Sequence, residues 1–162
     1  VLTREIPGHW EGDLVLGKNR ESAIGTLVER TTRLIIIVPL KKKDSTTVRK
    51  AFESEFRKLP DNLKLSLTYD NGTEMAQHKT FTKNTKIKVY FAHPYSPWER
   101  PTNENTNGLI RDYFPKGTDF NLISKKQLKE VQNQLNERPR KTLEYESPLN
   151  TISRLYMNQN FI

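Results

Sequence analysis

The sequence predicts an α/β fold, a mixed sheet covered by helices. Three observations point there. The first forty residues read as three strands joined by tight connections. Beyond them, strand-like and helix-like segments alternate. The 162 residues suffice for one ordinary core, so the prediction is a single domain over residues 1–162.

His9 to Gly17 alternates around Trp10, Leu14 and Leu16, with Gly12 as its weak point. Ser22 to Arg30 carries Ile24, Leu27 and Val28, and Arg33 to Leu40 is dense in β-branched residues. The short connections Gly17-Lys18-Asn19-Arg20 and Arg30-Thr31-Thr32 suggest an antiparallel meander. Asp44 or Ser45 caps a helix whose apolar positions are Val48, Ala51, Phe52, Phe56 and Leu59, and Pro60 stops it. Leu63 to Tyr69 is a strand ending at the turn signal Asp70-Asn71-Gly72. A short helix is expected between Thr73 and Lys83, then a strand over Lys86 to Ala92. A loop with Pro94, Pro97 and Pro101 leads to a helix that Glu104 opens. Leu109, Ile110, Tyr113 and Phe114 cover one side of that helix, while Glu104, Asn107, Gly108 and Arg111 share another. Gly108 weakens a helix; leaving room beside Glu104 would explain it. Ser124-Lys125-Lys126-Gln127 matches a capping box for a further helix through Leu128, Val131 and Leu135, ended by Pro139. A last helix starts near Pro148. The expected sheet opens antiparallel and continues parallel, with Asp13 on its central strand and Asp70 ending the strand beside it.

The formal net charge of +8 favours a polyanionic partner, nucleic acid first. No cysteine is present, which excludes thiol catalysis, disulfides and cysteine-ligated zinc and fits a reducing, cytoplasmic setting. His9, His78 and His93 form no zinc pattern. The longest apolar run, Leu34 to Val38, is too short to cross a bilayer, so no membrane partner is expected. Val1 is not an initiator residue and no signal peptide is expected, so the chain reads as a fragment of a longer protein.

Asp13, Asp70 and Glu104 are the candidate catalytic and metal-ligating residues. Each sits where a strand or helix presents a carboxylate to a shared point. Three hard-oxygen ligands suit two Mg²⁺ or Mn²⁺ ions, which cut phosphodiesters by two-metal chemistry. Each acid alone has an ordinary reading as well: Asp13 as a solvent-face residue, Asp70 as a turn former, Glu104 as a helix-start charge. Among basic residues, Arg111 lies two turns beyond Glu104, where it can grip a phosphate. Lys116, Arg138, Arg140 and Lys141 are further DNA-contact candidates. Lys43, Lys83 and Lys86 are weaker ones. Trp98 either stacks on a base or pins its loop to the core.

At these residues the chain resembles the bacterial insertion-sequence transposases of family thirty, in the integrase-core, DDE-type group. The segments that carry the resemblance are Gly8-His9-Trp10-Glu11-Gly12-Asp13-Leu14, Ser22-Ala23-Ile24-Gly25-Thr26-Leu27-Val28-Glu29-Arg30 and Asp70-Asn71-Gly72-Thr73-Glu74. Further ones are Asn103-Glu104-Asn105-Thr106-Asn107-Gly108-Leu109-Ile110-Arg111, Phe114-Pro115-Lys116-Gly117-Thr118-Asp119 and Arg138-Pro139-Arg140-Lys141. The resemblance implies a ribonuclease-H-like fold, here a five-stranded mixed sheet flanked by helices, with the triad on Asp13, Asp70 and Glu104. It implies metal-dependent cleavage and strand transfer of DNA during transposition, with transposon ends and target DNA as partners. A homo-oligomer is expected in the active complex, acting at the nucleoid, with a helix-turn-helix region N-terminal to this domain in the family. Two departures stand out. Pro101 replaces the family's usual glycine after Trp-x-Arg, which would stiffen the loop over the site. Glu144 replaces a common glycine after Lys-Thr-Leu. Two rival readings are a domesticated relative that binds DNA without cutting, which metal-dependent nicking would separate, and a ribonuclease acting on RNA–DNA hybrids.

Overall fold

The structure, a computed structural model, describes residues 6–70, 72–92 and 101–160, apart from the side chains of 101, 103 and 158–160. Five strands, β1 (His9–Leu16), β2 (Ala23–Glu29), β3 (Ile35–Pro39), β4 (Ser66–Tyr69) and β5 (Lys88–Phe91), form one sheet in the order β3-β2-β1-β4-β5. Neighbours β1–β2 and β2–β3 are antiparallel, while β1–β4 and β4–β5 are parallel. The expected mixed sheet with β1 at its centre is therefore present. The helices are α1 (Ser45–Arg57), α2 (His78–Thr85), α3 (Pro101–Tyr113), α4 (Lys125–Glu137) and α5 (Pro148–Asn160).

Both sheet faces are buried, by different residues of the same strands, because side chains alternate along a strand. Trp10, Leu27, Ile36, Val38, Leu67 and Tyr69 pack with Val48, Phe52 and Phe56 of α1 and Phe81 of α2. On the other face, Val15, Ile24, Val28, Ile35 and Ile37 pack with Ile110, Phe114, Leu128, Val131 and Leu135 from α3, the segment after it, and α4. Trp10 meets Phe56 edge to face at 5.7 Å between ring centroids, and its indole N–H donates to the Leu63 carbonyl at 2.8 Å. Asp13, three residues on, falls on the α3 side. Gly12 between them is explained by close approach: a Cβ there would stand 2.9 Å from the Tyr69 ring.

The caps agree with the sequence. Asp44 accepts from the Thr47 N–H at 3.1 Å, and Ser124 and Gln127 exchange both bonds of a capping box, at 3.1 and 2.8 Å. The outer edge of β3 has no neighbouring strand, yet its amides are satisfied. Ile35 N–H donates to Asn136 Oδ1 and Asn136 Nδ2 donates to the Ile35 carbonyl, both at 2.8 Å. Ile37 N–H donates to Gln132 Oε1 at 2.9 Å. These two side chains of α4 stand in for a sixth strand.

Several boundaries differ from expectation. The strand expected from Leu63 starts at Ser66, because residues Asp61–Leu63 form a 3₁₀ turn whose last carbonyl is the Trp10 acceptor. The single helix expected over Thr73 to Lys83 is a 3₁₀ turn, Thr73–Met75, followed by α2, which closes on Lys86 at φ 66°. Pro101 is the first residue of α3, where the missing amide is unpaired in any case and the fixed φ suits a helix. Glu144 has φ 54°, the left-handed region that favours glycine, which accounts for the glycine expected there.

Candidate active site

Asp13 leaves β1 half-buried and is held on both carboxylate oxygens. Oδ1 accepts from the Leu14 N–H at 2.9 Å, and Oδ2 accepts from Asn107 Nδ2 at 3.0 Å. Asn107 lies on α3, three residues beyond Glu104. The sequence placed it on the polar face of that helix but gave it no role, and the spacing from Glu104 was the available signal. α3 runs alongside β1, and a second contact fixes it there: Arg111 Nη2 donates to the Leu16 carbonyl at 2.7 Å and Nη1 to the Phe114 carbonyl at 3.4 Å. Arg111 was expected to grip a phosphate. In the structure its guanidinium reaches two backbone carbonyls, at the end of β1 and just past the end of α3, where such oxygens lack a partner of their own.

Asp70 directly follows β4. β1 and β4 pair in parallel up to Glu11 opposite Thr68. That pairing stops two residues short of Asp13 and Asp70. Asp70 is exposed, and Glu74 lies close to it: a Cβ on Gly72 would stand 2.9 Å from Asp70 Oδ1 and 2.0 Å from Glu74 Oε2. Glu74 was quoted in the Asp70 segment and not singled out. Glu104 is exposed in the first turn of α3. The structure therefore joins Asp13 to the helix of Glu104 through Asn107 and sets Asp70 just past the adjacent strand. Among the described residues, no three acids or histidines close around a single point that could hold an ion. Gly108 is not demanded by packing, because a Cβ there would meet nothing within 4 Å.

The donor set suits a hard divalent cation. Two buried acceptor oxygens beside these carboxylates, Glu74 Oε2 and Asn107 Oδ1, have no hydrogen-bond partner. A buried acceptor without a partner is costly, and two such oxygens beside two aspartates match the oxygen preference of Mg²⁺ and Mn²⁺.

The strand start below Asp13 is charged and buried. Glu11 pairs with Arg30 at 3.3 Å. Burial pushes the Glu29 carboxyl above its ordinary range, opposed by N–H donors from Thr32, Gly8 and Thr31 at 2.8, 3.1 and 3.0 Å. Burial, and then the Arg30 charge, hold His9 below its ordinary value of 6.5.

The basic candidates are dispersed. Lys116, Arg138 and Lys141 are exposed, and Arg140 is half-buried. Lys83 and Lys86 are exposed around the end of α2, and Lys43 donates to the Arg20 carbonyl. Trp98 lies outside the described residues. No helix of the described residues is long and apolar enough to cross a membrane.

Known proteins are similar to this chain, some in sequence and others in fold. The transposase InsI of insertion sequence element IS30A from Escherichia coli is 53% identical over 154 residues, covering 95% of this chain and 40% of that protein. The transposase of insertion sequence element IS1086 from Cupriavidus metallidurans is 44% identical over 158 residues, covering 98% of this chain and 47% of that protein. The chain thus spans less than half the length of these relatives. The crystal structure of the catalytic core domain of BIV integrase superposes with a TM-score of 0.72 at 17% identity, covering 94% of this chain and 98% of that one. The shared architecture is the ribonuclease-H-like mixed sheet. Residues 4–97 match the family profile of the integrase core domain, and the chain belongs to that family.

Proposed function

We propose that this chain, residues 1–162 as one domain, is the catalytic domain of a DDE-type insertion-sequence transposase. It would cleave DNA strands and join the freed ends to target DNA. In cleavage, water forms a new bond to phosphorus and the 3′ oxygen leaves. In transfer, the freed 3′ hydroxyl attacks and a 3′ oxygen of the target leaves. The observation that carries this reading is the placement of Asp13. It stands on the central strand, which pairs in parallel with the strand that Asp70 follows, and is hydrogen-bonded to the helix that bears Glu104.

Asp13, Asp70 and Glu104 would hold two Mg²⁺ or Mn²⁺ ions, with Glu74 and Asn107 as neighbouring oxygen donors. When bound, such ions supply positive charge at the attacking and leaving oxygens. Asn107 fixes the rotamer of Asp13. Arg111 holds α3 against β1, so that Glu104 stays beside the strand ends. Trp98, Lys116, Arg138, Arg140 and Lys141 would contact DNA, mostly through phosphates. A homo-oligomer would bring transposon ends and target together.

Asp13→Asn, Asp70→Asn and Glu104→Gln test the assignment, because each keeps shape and removes charge. Each should lose nicking of duplex DNA with Mg²⁺ while melting as a folded protein. A variant that nicks near the parental rate removes its residue from the triad. Equal cleavage in chelator and in Mg²⁺ would refute the metal dependence. Selective cutting of RNA–DNA hybrid would favour a ribonuclease instead.

A further inference from the structure

Arginines from two parts of the chain come near one another, one of them against the first turn of α3. Arg33 follows the turn between β2 and β3, and Arg138 and Arg140 follow α4. The Arg33 guanidinium donates to the hydroxyl of Thr102, which is buried in the first turn of α3. The charges of Arg33 and Arg138 both bear on Arg140. The Arg140 backbone is pinned: its N–H donates to the Glu146 carbonyl at 3.0 Å, and its carbonyl accepts from Leu143 and Tyr145 at 3.0 and 2.8 Å. On that fixed loop, Arg140 Nη1 is buried with no hydrogen-bond partner. The carboxylate of Glu146 faces Arg154 instead, at 3.0 Å.

A buried guanidinium donor left unpaired is unfavourable for the fold by itself, because the missing bond costs stability. The same geometry suits an anion with several oxygens, because arginine forks match a phosphate edge on. We propose that Arg33, Arg138 and Arg140 form a socket for one phosphate group of a bound DNA strand, against the turn of α3 that carries Glu104. The proposal rests on the transposase reading for its DNA; free phosphate presents the same chemistry. Occupancy ties the β2–β3 turn, the start of α3 and the end of α4 to one ligand. DNA in the socket thereby steadies the helix that presents Glu104. Arg33 was in none of the basic clusters expected from the sequence.

The test uses this chain with two ligands. At constant ionic strength, inorganic phosphate at several times its dissociation constant should raise the melting temperature by about 2–4 °C relative to chloride. Arg140→Gln and Arg138→Gln should each remove that rise, and Lys50→Gln, on α1 across the sheet, should keep it. In duplex titrations, the slope of log affinity against log salt should flatten by about 0.9 for Arg140→Gln, the effect of one lost phosphate contact. Arg138 is exposed, so its variant gives both readouts even if Arg140→Gln does not fold. A phosphate-induced rise that survives both arginine variants overturns the socket. A lost rise with an unchanged DNA slope overturns DNA as its ligand. Failure of the transposase reading shows separately, as absent Mg²⁺-dependent nicking by the parent chain.

Discussion

Replacing Asn107 by aspartate turns the donor that faces Asp13 into a second acceptor, 3.0 Å from Asp13 Oδ2. The lost bond, donated to a charged group, is about 1.5–3 kcal/mol. Repulsion between the two carboxylates adds to it until one of them takes up a proton. For a chain of this size we expect Asn107→Asp to melt roughly 5–10 °C below the parent at neutral pH in chelator. The pH dependence has a definite sign. The pair's upper pKa is raised in the folded state above its unfolded value. The stability linked to that proton is therefore fully present below the unfolded pKa and is lost as pH rises through the folded one. Acid should thus return part of the loss, and Mg²⁺ at neutral pH should return more than it gives the parent. Asn107→Leu serves as the control, since it loses the bond without the charge and should show neither recovery. The assay is differential scanning calorimetry of the three proteins from pH 4 to 8, with and without Mg²⁺. If Asn107→Asp and Asn107→Leu melt together across that range, the residue-107 side chain does not face Asp13 and the site as described is wrong.

Asn136→Ala leaves the Ile35 N–H and carbonyl of a buried edge without partners and should cost about 2–4 kcal/mol, read from urea midpoints. Glu144→Gly relieves the φ of 54° and should stabilise by about 0.5–1 kcal/mol, again by urea unfolding. The folded state holds His9 below its ordinary 6.5, so His9 contributes stability above that pH and loses it as pH falls toward the depressed value. His9→Gln should therefore narrow the acid-induced fall in melting temperature below pH 6.5 and leave the alkaline side unchanged.

Much of the fold was legible because the chain uses period and punctuation plainly. Alternation around Trp10 gave β1, and the Ser124–Gln127 box marked the start of α4. The order of strands followed from tight turns first and helical crossovers later. The residues obscured by the sequence were those whose role depends on a distant partner. The start of β4 is set by the Trp10 indole reaching Leu63, a contact between positions 53 apart. Asp13 and Asp70 stood out as candidates because an aspartate on a strand and one just past a strand break the apolar pattern around them. Asn107 was passed over because its meaning comes from Asp13, 94 positions away. Arg111 shows the same dependence: charge and helical spacing suggest a ligand, and the carbonyl of Leu16 that it also reaches belongs to another element. Arg33 carried no signal at all, because it comes together with Arg138 and Arg140 only once α4 has packed.

The edge of β3 sets an order of events in the making of this protein. Its amides find their partners on Gln132 and Asn136, which follow 95 and 101 positions later in the chain. A ribosome that has released the three-stranded meander has thus exposed an apolar edge well before its cover is synthesised. During that interval the edge is open to any other extended segment nearby. Closure waits on a contact of high sequence separation, which makes it slow relative to the hairpins. A chain cut short before α4 should accumulate as aggregate rather than as a smaller soluble unit.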